Sequence, residues 1–158
     1  VNRTFGRLQI ISSAWFALTH GANDGQKTMG IIVLILFSVG LIEELEMPLW
    51  VIFAAAGAMG LGTFFGGYKV IKTLGVKVTR LKPYQGFAAE TSGGIMLAVF
   101  ATLGIPASTT HAITGTIMGA GSARRIRAVR WRVSRQIIFS WVITIPGAAG
   151  LGLSLIHI

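Results

Sequence analysis

Residues 19–30 read THGANDGQKTMG. Apolar runs flank them, residues 8–18 before and 29–42 after, and between these lie Asn23, Asp24, Lys27 and three glycines, Gly21, Gly25 and Gly30. The fold turns on whether one helix runs through this stretch or stops inside it. As a straight helix, residues 8–42 would reach about 52 Å at 1.5 Å per residue, against a hydrocarbon core of about 30 Å. A charged side chain at the centre of a membrane helix costs about 2.5–3.5 kcal/mol on insertion scales. Both magnitudes favour a chain that bends, breaks or re-enters near residues 21–25, where glycines let the backbone unwind. Irregular backbone is tolerated at membrane depth only where it is buried or lines a cavity. A break of that kind offers carboxylate and carbonyl oxygens to a cation and half-helix N-termini to an anion. An exposed loop between two helices, with Asp24 as N-cap, is the plainer reading, and position and composition leave both open.

The composition settles the class. Of 158 residues, 53% are hydrophobic and 12% charged, where soluble domains carry about 25% charged residues. Several apolar segments approach the roughly 20 residues needed to span a bilayer. The expected fold is therefore all-α, a polytopic transmembrane bundle with the lipid bilayer as its surroundings. There is no cysteine, so disulfides are excluded. The net charge of +9 does not point to nucleic acid, because the charges gather at the ends of apolar runs.

Those charges set a topology. Basic residues form three groups: Arg3 and Arg7; Lys69, Lys72, Lys77, Arg80 and Lys82; and Arg124, Arg125, Arg127, Arg130, Arg132 and Arg135. Lys27 alone lies outside them. The positive-inside rule places all three groups in the cytoplasm. The acidic loop of Glu43, Glu44 and Glu46 then falls outside by alternation. Residues 8–42 must cross an odd number of times, 49–67 once, and 86–123 an even number. Residues 137–151 leave the cytoplasm again. Pro106, which has no N–H and restricts Ile105, breaks the segment 86–123. The arm after it is short, so a re-entrant hairpin meets the parity as well as two full crossings. Gly57, Gly60, Gly62, Gly66 and Gly67 predict close helix packing. Trp50, Trp131 and Trp141 are expected as interfacial anchors.

Two further polar clusters interrupt the apolar background. Ser108, Thr109 and Thr110 open an apolar helix just after Pro106. Hydroxyls and free N–H groups at a helix start can hold an oxyanion, although an ordinary N-cap needs one hydroxyl. Glu90, followed by Thr91 and Ser92, lies early in another apolar run. There it is a candidate cation ligand or proton carrier, or simply a solvated helix end. His20 stands four residues before Asp24, so on an unbroken helix they share a face. With His111 they would make an intramembrane metal-dependent hydrolase the rival from another class. Spacing places no third ligand, so no metal is expected.

These residues resemble the inorganic phosphate transporter (PiT) family of secondary transporters. THGANDGQKTMGII is similar to the family's GAND signature, and GFAAE with IPASTTHAITGTIMGAGSARR to its GFxxE and PxSTTH block. The resemblance runs from about Phe5 to Gly150. It implies two related, oppositely oriented repeats, each supplying one GAND and one PxSTT segment to a central site. It also implies phosphate uptake with co-transported Na⁺ or H⁺ and no other cofactor, some bacterial members taking metal–phosphate complexes. On this reading Asn23, Asp24, Ser108, Thr109 and Thr110 bind substrate, while Asp24, Asn23 and Glu90 serve cation or proton coupling. The continuation GANDGQK departs from GANDVxN, which leaves the coupling ion open. Acidic residues beside phosphate imply a cation or proton that offsets their repulsion.

The chain is thus expected to be the C-terminal half of a plasma-membrane phosphate symporter, residues 1–152, partnered by an N-terminal repeat and compatible with a homo-oligomer. It begins with Val1 rather than Met, and residues 153–158, LSLIHI, read as translated sequencing adapter. A transporter of another oxyanion such as sulfate is the alternative in the same class. A half-size transporter pairing as an antiparallel dimer is opposed by the one-sided basic bias.

Overall fold

The computed structural model describes residues 2–123 and 125–156. Among the described residues five helices follow one another: α1 (Asn2–Ser38), α2 (Leu49–Lys72), α3 (Pro83–Thr102), α4 (Thr109–Ser122) and α5 (Trp131–Ile156). A π-helical turn (Thr73–Val78) prolongs α2, and a short 3-10 turn (Ile126–Ala128) precedes α5. The described residues contain no strand. Among the described residues two helices are long and apolar enough to cross a membrane, α2 with its π-helical extension and α5. Residues 153–156 simply continue α5, while His157 and Ile158 lie outside the described residues.

The expected break in the first helix is not there: α1 runs unbroken through Gly21, Asp24 and Gly25 for 37 residues, about 55 Å. Magnitudes explain why. A glycine inside a helix costs about 1 kcal/mol relative to alanine, whereas each backbone group freed into hydrocarbon costs several. The charged side chains find partners without unwinding. His20, Asp24 and Lys27 meet at helical i,i+4 and i,i+3 spacings. The hydroxyls of Thr19 and Thr28 donate to the carbonyls of Phe16 at 3.0 Å and Asp24 at 3.2 Å.

Local signals end the helices where the sequence marks them. Gly40 and Gly104 both adopt positive φ, +70° and +68°. At each, a Schellman pair closes the helix: Leu41 N–H donates to Leu36 and Gly40 N–H to Phe37; Ile105 N–H donates to Phe100 and Gly104 N–H to Ala101. Pro106 follows the second, and α3 and α4 form a helical hairpin about it. The hairpin tip meets α1 at residues 23–27, well short of the end of α1 at Ser38.

The hairpin packs on α1 through glycines that the sequence reading passed over. A Cβ placed on Gly94 would stand 2.6 Å from Trp15 Cδ1, and one on Gly93 would stand 3.0 Å from Phe16 Cε2. The first contact is closer than a side chain tolerates and the second is tighter than most, so these positions let two helices approach. The packing assigned to the α2 glycines is not made among the described residues. Cβ atoms added at Gly57, Gly60, Gly62 and Gly66 meet nothing within 4 Å, and one at Gly67 meets only Thr63 of the same helix.

The described members of the three basic groups gather at one end of the bundle. Phe5 packs edge-on against Tyr84 and Phe87, with ring centroids 6.4 Å and 5.9 Å away, which brings the start of α1 to the start of α3. Arg130 N–H donates to the Val78 carbonyl at 2.9 Å, and the Thr79 hydroxyl donates to Ala128 at 3.1 Å. A small apolar core of Val78, Ala89, Ile117 and Val129 holds this end together. The acidic loop after α1 lies at the other end. Trp131 bonds the Ile126 carbonyl at the basic end, at 2.9 Å. Trp141 departs from the anchor expectation: its ring sits 3.9 Å from that of His111, at the level of the hairpin tip.

Candidate functional site

Where the hairpin tip meets α1, polar groups from three segments converge. Asp24 Oδ2 accepts from the Thr109 hydroxyl at 2.8 Å and lies 3.0 Å from His20 Nε2. Asp24 Oδ1 accepts from the Lys27 ammonium at 3.3 Å. The same ammonium donates to the Ala107 carbonyl in the hairpin turn. One carboxylate is thereby held by two neighbours on its own helix and one hydroxyl from α4. Hydrogen bonds to charged groups contribute about 1.5–3 kcal/mol each, enough together to fix the tip against α1.

The three hydroxyls of residues 108–110 divide their tasks. Thr109 is buried and reaches Asp24. Ser108 is the N-cap of α4, its Oγ accepting from the His111 N–H at 3.3 Å. Thr110 is exposed. The N–H groups of the first turn of α4 have no carbonyl of their own helix to meet, so this end of the helix is rich in donors.

Asn23 is 4% exposed, and its Nδ2 has no hydrogen-bond partner. A buried donor left unpaired costs about 1–3 kcal/mol, a cost that a bound acceptor would remove. Asn23 lines a cavity of about 210 Å³ together with Gln26, Lys27, Gly104 and Pro106. A second cavity of about 440 Å³ opens on the other side of the turn, where Ser108, His111 and Thr116 interrupt an apolar wall.

Glu90 is elsewhere. Its Oε2 accepts from the Ser12 hydroxyl at 2.6 Å, and Ser12 lies about 18 Å below Asp24 along α1. The structure thus brings Asn23, Asp24, Thr109 and the Ser108 cap to one place, and leaves Glu90 as a separate station toward the basic end.

Lys27 is the member that the sequence assignment omitted. Its signal was visible as the one basic residue outside the three basic groups, but its second partner lies 80 residues away. The metal-hydrolase arrangement does not form. His20 meets Asp24, but His111 stacks on Trp141, and no three His, Asp or Glu side chains cluster among the described residues.

The sequence model of the family described as "Phosphate transporter family" matches residues 1–152. A protein of Rhizobium meliloti (strain 1021) named "Probable low-affinity inorganic phosphate transporter" is 51% identical over 150 residues, which are 94% of this chain and 45% of that protein. A Bacillus subtilis (strain 168) protein of the same name is 41% identical over 152 residues, 96% of this chain and 46% of that protein. A Mycobacterium bovis protein, again with that name, is 41% identical over 152 residues, 95% of this chain and 36% of its own length. The chain therefore spans less than half the length of these curated relatives. No solved structure matches it.

Proposed function

The chain belongs to the phosphate transporter family, a family of transporters and not of enzymes. From that premise we propose that the whole protein carries inorganic phosphate across the plasma membrane by secondary symport with Na⁺ or H⁺. Residues 1–152 then form one of two oppositely oriented repeats around a shared site. Asn23 carries this reading: a buried amide donor without a partner, on the wall of a cavity. Phosphate is an oxyanion that needs several donors at once. The Asn23 amide, the Lys27 ammonium and the first-turn N–H groups of α4 are donors of the right kind.

The remaining parts fall into place around that site. The α3–α4 hairpin, stopping at the level of residues 23–27, suits a re-entrant element whose tip lines the substrate path. Gathering the basic groups at one end suits a cytoplasmic face. Glu90, half-buried and without a basic partner among the described residues, suits the coupling ion or proton.

The test is uptake of labelled phosphate by the complete transporter in cells lacking their own phosphate uptake. Phosphate should compete and sulfate should not, and Asp24→Asn at equal membrane expression should abolish entry. Sulfate competing as well as phosphate, or no uptake by well-expressed wild type, would overturn the reading.

A further inference from the structure

We propose that Lys27 is a built-in counter-cation, its ammonium occupying the position at Asp24 that a co-transported metal cation would otherwise take. The inference rests on the transport reading for its meaning, but not for its test.

Its basis is the shape of the ammonium's surroundings. Asp24 Oδ1 stands 3.3 Å from Nζ, and the Ala107 carbonyl accepts from the same nitrogen. A carboxylate oxygen on one helix and a free carbonyl in a helix-breaking turn are the hard oxygen ligands that an alkali cation takes when helices end inside a membrane protein. Here an ammonium bridges them. The turn carbonyl is available because Pro106 and the Gly104 cap keep residues 103–108 out of a helix.

Charge points the same way. Asp24 would repel an oxyanion at Asn23, one residue away. The usual remedy is a cation that arrives with the substrate, but Lys27 supplies the charge from within the chain. An ammonium has three donors, and two are used on Asp24 and Ala107. The third is left for the cavity that Lys27 lines with Asn23. The consequence is specific: in this repeat Asp24 takes no free Na⁺ while Lys27 is present, and a neutral residue at position 27 opens the position to Na⁺.

Equilibrium binding of radiolabelled Na⁺ to the purified complete transporter tests this without using phosphate. Lys27→Gln and Lys27→Met should each bind about one more Na⁺ per chain than wild type, and adding Asp24→Asn should remove that gain. Both single variants are close to lysine in length, and thermal unfolding together with size-exclusion profiles shows which are folded. No gain in a folded variant overturns the proposal. So does a gain that survives Asp24→Asn, or a wild-type Na⁺ equivalent that disappears with Asp24→Asn. Phosphate uptake by wild type is scored separately. A transporter without phosphate uptake would sink the substrate assignment and leave the Na⁺ result standing.

Discussion

Asp24 and Glu90 are both carboxylates set within long helices, yet they are held differently. Asp24 sits among His20, Lys27 and Thr109, with an ammonium bridging it to the next segment. Glu90 has one side-chain partner, the Ser12 hydroxyl at 2.6 Å, and among the described residues no salt bridge reaches it. A carboxylate whose charge is matched by its neighbours is suited to holding a geometry. One with a single neutral donor is suited to changing its state, because gaining or losing a proton or cation disturbs little else. On the proposed function, the two positions would divide the work between an anchor at the hairpin tip and a coupling station about 18 Å away.

The largest effect should come from the anchor. Asp24→Asn leaves the half-buried Lys27 ammonium without its carboxylate and weakens the charge-assisted hydrogen bond from Thr109, a bond of about 1.5–3 kcal/mol. Uptake should fall at least about 100-fold, read as initial rate at equal expression. Glu90→Gln should act on coupling instead. Phosphate binding should persist within about threefold, equivalent to less than 1 kcal/mol, while the dependence of uptake on the driving ion flattens. Equal loss of binding in both variants would erase the distinction between anchor and station.

Finer substitutions sharpen the same contrast. Thr109→Val keeps the shape of the side chain and removes one charge-assisted hydrogen bond to Asp24, about 1.5–3 kcal/mol. Phosphate affinity should fall about tenfold, measured by equilibrium binding, with ion dependence retained. Ser12→Ala should have the smallest effect, about twofold to threefold on uptake, since half-buried Glu90 can take water in place of the hydroxyl. Its ion dependence should shift, because the hydroxyl that orients the Glu90 carboxylate is gone. A Ser12→Ala variant as inactive as Asp24→Asn would show that Glu90 is also a rigid anchor.

Much of the architecture was legible in the chain. Low charge and long apolar runs mark a helical membrane protein, and the placement of Lys and Arg anticipates that α1, α2 and the α3–α4 hairpin return the basic groups to one end. The break near Gly21 did not materialise. Glycines lower helix propensity, but whether a helix yields depends on what its polar residues can find nearby, and here His20, Lys27 and Thr109 satisfy Asp24 with the backbone intact. Glycine misled a second time. The rich run in α2 is unfilled among the described residues, while Gly94 and Gly93 make the close approach to Trp15 and Phe16. Small residues show where helices can approach, and only a partner's position shows where they do.

What the amino-acid sequence by itself determined was local or additive. Helical class follows from apolar length, the gathering of basic residues at one end from charge placement, and the stops at Gly40 and Gly104 from residues that accept a left-handed backbone. What the tertiary structure alone decided was pairing across long separations: Thr109 rather than Ser108 or Thr110 on Asp24, Ala107 on Lys27, and Ser12 on Glu90. These contacts join residues 78 to 85 positions apart. No propensity or spacing encodes them, because they exist only once α1 and the hairpin have packed.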